Sequence, residues 1–94
     1  MPAAGRLGDQ CTGHGGFPPR PSTSAQSLVK VNGIPLLVVG STFASHKSGK
    51  KSHGGTLAAG STLAKIDGVP LARIGDPVAC GSALAEGSDF VFYD

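Results

Sequence analysis

Three histidines and two cysteines are the residues of this chain best suited to chemistry, and four of the five sit at related places in a repeat. Turn glycines set the frame. His14 lies six residues after Gly8, His46 six after Gly40, and Cys80 five after Gly75. Counted back from the next Gly-Ser step, His53 precedes Gly60 by seven residues and Cys80 precedes Gly87 by the same seven. Three copies about an axis would converge His14, the His46/His53 pair and Cys80. Neutral imidazole nitrogen and thiolate sulfur suit Zn²⁺, and four protein ligands complete a tetrahedron. One structural zinc per chain is therefore expected. Glycines beside these residues, as in His14-Gly15-Gly16 and His53-Gly54-Gly55, let backbone crowd a narrow apex. Cys11 lies three residues before His14, but its repeat equivalents, Phe43 and Val78, are not ligands. It is expected outside the site, with Cys11→Ala changing neither metal content nor stability.

The elements that must position these ligands come from a degenerate threefold repeat. Val69-Pro70-Leu71-Ala72-Arg73-Ile74-Gly75-Asp76 aligns without a gap on Ile34-Pro35-Leu36-Leu37-Val38-Val39-Gly40-Ser41. The N-terminal Pro2-Ala3-Ala4-Gly5-Arg6-Leu7-Gly8-Asp9 is read as a match with one extra residue. Leu28-Val29-Lys30-Val31-Asn32-Gly33 pairs with Leu63-Ala64-Lys65-Ile66-Asp67-Gly68, and Phe90-Val91-Phe92-Tyr93-Asp94 stops short of its turn glycine. Such self-similarity marks one supersecondary unit used several times. Asn-Gly and Asp-Gly between short apolar runs predict hairpins with type I′ turns. Pro35 and Pro70 cannot donate to a ladder and belong at strand starts or edges. Glycine or proline interrupts almost every helical window, so the fold class is all-β, a small pseudo-threefold hairpin repeat. Asp9 and Asp76, after the turn glycines, are read as Asx-type caps of the local backbone.

Ninety-four residues make one domain, 1–94, with four Phe, one Tyr, no Trp and fifteen Gly. So thin a core needs a staple. Structural zinc contributes roughly 10–16 kcal/mol apparent in small finger peptides, whereas a Cys11–Cys80 disulfide would contribute about 2–4 kcal/mol. No basic region followed by an apolar stretch marks a secretory signal, and no run approaches the length of a membrane span. The expectation is synthesis in the cytoplasm without a stable membrane anchor. A formal charge of +2 is too small to imply a polyanionic partner. Lys47, Lys50 and Lys51 form the only basic cluster and are read as a solvated loop. The Pro/Ser-rich segment from Phe17 to Ser24 is read as a rigid surface excursion.

Pro70-Leu71-Ala72-Arg73-Ile74-Gly75-Asp76-Pro77 with Cys80-Gly81 downstream, the Gly-Ser steps and Val31-Asn32-Gly33-Ile34-Pro35 resemble the PAAR-repeat family across essentially the whole chain. The naming motif appears as Pro2-Ala3-Ala4-Gly5-Arg6 and as Pro70-Leu71-Ala72-Arg73, and is lost in the middle copy. The resemblance implies a conical β-structure with zinc near its point and His14, His46, His53 and Cys80 as ligands. It also implies a structural tip, one chain per homotrimeric spike with a β-helical end, in a type VI secretion system or contractile phage tail. Such a tip is delivered without a signal peptide and offers a docking point for effectors. The chain starts at the motif and ends one residue after Tyr93, so neither an N- nor a C-terminal extension domain is expected. The strands through Val29, Val31, Leu63, Ile66, Phe90 and Phe92 supply apolar side chains for the matching base.

Two other functions compete. A small zinc-dependent hydrolase would need an open metal position and a general base, whereas four ligands close the site and Glu86 is the only glutamate. A zinc-stabilised nucleic-acid-binding module would need a basic face, paired cysteine knuckles or a recognition helix. The sequence supplies none of these, so no enzyme activity and no nucleic-acid partner are expected.

Overall fold

A computed structural model describes residues 2–49, 51–89 and 91–94; Lys50 and Phe90 lie outside the described residues. Six strands follow in order: β1 (Lys30–Val31), β2 (Ile34–Pro35), β3 (Thr42–Ser48), β4 (Lys51–Thr56), β5 (Lys65–Ile66) and β6 (Val69–Pro70). They form three two-stranded antiparallel sheets, β1-β2, β3-β4 and β5-β6. Among the described residues there is no helix, and hence none long and apolar enough to cross a membrane.

The two short hairpins turn where the dipeptides require. Asn32 and Asp67 have φ of 52° and 50°, and the following Gly33 and Gly68 both have 79°. These are the paired left-handed conformations of a type I′ turn. Pro35 and Pro70 close the hairpins opposite Lys30 and Lys65. Their carbonyls then reach outward, accepting from Val39 N–H (Pro70) and Leu7 N–H (Pro35). The third hairpin is split between the chain termini. Phe92 bridges Ala3 as Lys30 pairs with Pro35 and Lys65 with Pro70, and Tyr93 N–H donates to Pro2 O at 3.1 Å.

A closed ring joins the copies. Gly5 N–H donates to Ala72 O, Ala72 N–H to Leu37 O, and Leu37 N–H to Gly5 O, at 3.0, 2.9 and 2.9 Å. The bridges around it are cyclic in the same sense: Ala4 with Arg73, Leu71 with Val38, and Leu36 with Arg6. This geometry corrects one expectation. The N-terminal copy carries no extra residue, because Gly5 occupies the place of Leu37 and Ala72, while Arg6 matches Val38 and Arg73. The three turn glycines, Gly8, Gly40 and Gly75, share φ of 94°, 93° and 94°.

Side chains stack in two layers on this ring. Ala4, Leu36 and Leu71 form one buried cluster, flanked by Val31, Val38, Ala64, Ile66, Val91 and Tyr93. Cys11, Phe43 and Val78, at equivalent positions, form the second with Leu37, Leu57, Ala72 and Leu84. A second cyclic set of bridges, Cys11 with Leu84, Phe43 with Ser22 and Val78 with Leu57, ties this layer together. Cys11 is thus a core residue, 2% exposed. It is a free thiol, as is Cys80, so the disulfide candidate is set aside.

Beyond the ring, local caps repeat. Asp9 and Asp76 each accept at 2.7 Å from the backbone N–H three residues earlier, that of Arg6 or Arg73, and ion-pair with that arginine's guanidinium. The Arg6 guanidinium also donates to Gly87 O at 3.1 Å. In the middle copy Ser41 Oγ replaces the carboxylate and caps Val38 N–H at 3.1 Å. Ser61 N–H and Ser88 N–H donate to the carbonyls of Leu71 and Ala4, and the side-chain amide of Gln26 does the same to Leu36 O at 3.0 Å.

The ring has room for one large side chain on its inner face. Leu37 fills that space with 0% exposure, and a Cβ on Gly5 would collide with Leu84 and lie 3.1 Å from Leu37 Cδ1. Gly5→Ala is therefore expected to destabilise the fold by about 1–3 kcal/mol through overpacking. Leu37→Ala should cost about 2–5 kcal/mol through a cavity. In the double variant Gly5→Ala/Leu37→Ala the combined loss should be smaller than the sum of the two single losses, since Leu84, which the added methyl meets first, can shift into the volume Leu37 vacates. Denaturant midpoints of the three variants measure this, and strict additivity would contradict the shared volume.

Candidate metal centre

Each copy leaves the second layer by a different loop, and the loops bring four side chains together. In the first copy, Phe17 N–H donates to His14 O at 2.8 Å and His14 N–H to Phe17 O at 3.0 Å, closing a tight turn with Gly15 at φ 51°. In the middle copy the long β3-β4 hairpin pairs His46 directly opposite His53, beyond a register shift that follows Phe43. In the third copy Cys80 sits in a turn closed by Gly81 N–H donating to Val78 O, with Gly81 at φ 104°. A non-glycine residue is rarely accommodated there.

The ligand-type atoms of His14, His46, His53 and Cys80 all lie within 4.8 Å of one another. His53 Nε2 is 3.0 Å from His14 Nε2 and 2.7 Å from His46 Nε2. The edge between two nitrogens of a tetrahedral zinc site is about 3.3 Å, given Zn–N bonds of roughly 2.0–2.1 Å. The observed spacings are slightly tighter and of the same kind. Proton counting also points to a cation. His46 Nδ1 lies 2.8 Å from Pro18 O, a pure acceptor, so Nδ1 carries the hydrogen, and in the neutral ring Nε2 is then a bare lone pair. A hydrogen on His53 Nε2 can serve only one of its two nitrogen neighbours. Three imidazole nitrogens turned on one point beside a thiol can hold a metal ion, and their donor set is compatible with zinc.

All four residues expected at the site are brought together, and Cys11 is not among them. Two participants escaped the sequence reading. Phe17 packs against all three imidazoles, its ring centroid 4.8 Å from His14, 4.9 Å from His46 and 4.2 Å from His53. Pro18 supplies the carbonyl to His46. The segment from Phe17 to Ser24 is a surface excursion at Pro18, Pro19, Arg20, Thr23 and Ser24, which are exposed, whereas Phe17 and Pro21 are half-buried and Ser22 is buried. An aromatic residue three positions after a candidate ligand was the available signal.

Close backbone approach shapes the rest of the centre. A Cβ on Gly55 would lie 2.8 Å from Val78 Cγ1 and 3.0 Å from Cys80 Sγ. That glycine lets the middle hairpin reach the cysteine loop. Carboxylates stand elsewhere: Asp9 and Asp76 are held by arginines, and Glu86 Oε1 accepts from Gln10 N–H at 2.9 Å.

Desolvation holds the His53 imidazole below its ordinary value of 6.5, and the neighbouring His46 and His14 push it further the same way. In the metal-free chain the unfolded state thus takes up this proton at a higher pH than the folded state does. Stability present above about pH 6.5 should be lost as the pH falls from there toward the folded value. Denaturant midpoints of chelator-treated protein should decline between pH 7.5 and 5.5, and His53→Gln should flatten the decline. An unchanged slope in that variant would remove His53 as its source.

No curated protein matches the chain. A profile of the PAAR motif matches residues 7–86, which contain Gly8, Gly40 and Gly75, the Arg73–Asp76 clasp and all four converging side chains. The chain belongs to the PAAR-motif family.

Proposed function

We propose that this protein is a zinc-pinned structural tip that seats, one chain per trimer, on the end of a homotrimeric β-helical spike. Family membership supports a spike-tip type of protein. The observation that carries the docking is a set of exposed apolar side chains repeating with the fold. Leu28 and Leu63, at equivalent positions just before β1 and β5, are 68% and 79% exposed. Ile34 and Val69 form a second equivalent pair, and Leu7 and Ile74 a third, all exposed. Val29 and Phe92 are exposed as well, whereas Val31 and Ile66 are half-buried and Phe90 lies outside the described residues. Scattered single apolar residues need no explanation, but three pairs at equivalent positions of the repeat do. A true trimer presents three identical strand ends, and a pseudo-threefold monomer can answer all three while blocking further addition.

In this reading zinc is structural. His14, His46, His53 and Cys80 are its four ligands, which leaves no open position for a substrate or water. The metal would supply a rigid cross-link among the three loops. The host would be a type VI secretion apparatus or a contractile phage tail, with effectors docking on the flanks and the tip leaving the cell with the spike.

Two outcomes test this. Purified protein should hold close to one zinc per chain by elemental analysis. Cys80→Ala and His53→Ala should each lose most of it, with melting temperature falling by ten degrees or more, a loss on the order of several kcal/mol. Cys11→Ala should keep full zinc. Against the expectation from sequence it should also cost about 1 kcal/mol, because it empties part of the second core layer. Mixing the protein with a trimeric spike protein from the same genome should give one chain per trimer by native mass, stable in high salt because the contact is apolar. Three chains per trimer, or no complex, would end the tip assignment.

A further inference from the structure

We propose that the Phe17-Pro18 segment is a strap over the metal centre that orients His46 and slows metal loss, an inference that rests on the zinc reading above. The strap is held at both ends. At its start, the paired hydrogen bonds between His14 and Phe17 fix the turn. At its end, Cys11 N–H donates to Arg20 O and Ala44 N–H to Pro21 O, each at 3.0 Å. Between these anchors Pro18 and Pro19 have no backbone N–H to leave unpaired, and their fixed φ keeps the segment extended.

The return of this segment over the cluster needs a glycine beneath it. Gly13 has φ of 72°, and a Cβ there would lie 2.9 Å from both Pro18 C and Pro19 N. The backbone therefore closes down onto the histidine loop, which places the Phe17 ring among three imidazoles and the Pro18 carbonyl on His46 Nδ1. Two physical consequences follow. The Pro18 carbonyl holds His46 in the tautomer and rotation that offer Nε2 to the metal. Outer partners of this kind are worth roughly 10–100-fold in metal affinity. The Phe17 ring packs at a tilt against the imidazoles, so His14 and His46 cannot swing away until it is displaced. His53 and Cys80 also line an open groove of about 510 Å³ with Thr42, Phe43 and Gly54. That groove is the open approach to the centre, and the strap is the barrier on the His14/His46 side.

The test uses the zinc-loaded full chain. Zinc release to excess chelator is timed by a coloured zinc reporter in the wild type, Phe17→Ala and Phe17→Tyr. Release from Phe17→Ala should be at least about tenfold faster, and Phe17→Tyr, which keeps the ring, should restore the wild-type rate within about twofold. Nitrogen NMR of the zinc-loaded wild type should show His46 bound through Nε2 with Nδ1 protonated. That measurement stands if Phe17→Ala does not fold. A wild type that binds zinc normally but shows His46 ligated through Nδ1, or a Phe17→Ala variant that releases zinc at the wild-type rate, overturns the strap and leaves the metal reading intact. A wild type that binds no zinc overturns both.

Discussion

Everything in this molecule hangs on a three-membered ring of backbone hydrogen bonds in which each copy donates to one neighbour and accepts from the other. Gly5, Leu37 and Ala72 are its members. A ring has no edge, so the central backbone groups are satisfied without a large sheet. Closure also dictates what surrounds it. Three copies must present the same backbone conformation, which is why Gly8, Gly40 and Gly75 agree within a degree in φ. Their inner side chains must share one axial volume, and the combination of glycine, leucine and alanine fills it. The chain cannot close covalently, so the residues after Val91 pair with those before Gly5 to complete the third hairpin.

Departures from the repeat are compensated locally and chemically. The arginine–aspartate clasp serves two copies, and where the middle copy has Val38 and Ser41, a hydroxyl takes over the cap while valine packs against the first layer. Gln26 reproduces with its side-chain amide what Ser61 and Ser88 do with their backbone. The backbone scaffold is conserved among copies because it carries the closure; side chains vary wherever another donor or acceptor reaches the same atom.

The symmetry is abandoned in the loops that gather the three histidines and Cys80. A tight histidine turn, a long hairpin with two facing histidines and a short cysteine turn deliver four ligand-type atoms from three loops of unequal length. A threefold axis supplies three directions, so for a fourth ligand-type atom one loop must contribute twice. The middle copy does so by adding length, and β3-β4 is accordingly the only substantial hairpin among the described residues. Its reach depends on Gly55 passing close to Val78 and Cys80. The two short hairpins and their exposed leucines stay nearly equivalent.

The sequence by itself determined what depends on a few adjacent residues or on regular spacing. Asn32-Gly33 and Asp67-Gly68 could only be hairpin turns because both positions must tolerate left-handed backbone. The absence of helix followed from glycine and proline placement. The converging set of His14, His46, His53 and Cys80 followed from counting between turn glycines. Tertiary structure decided the rest, because it depends on which side chains distant copies turn toward the same point. The register of Gly5 became visible only beside Leu37 and Ala72. Cys11 became a core residue only once Phe43 and Val78 stood around the axis with it. Phe17 and Pro18 read as loop until the chain folded them back over His46, a contact across 28 residues that no local pattern encodes.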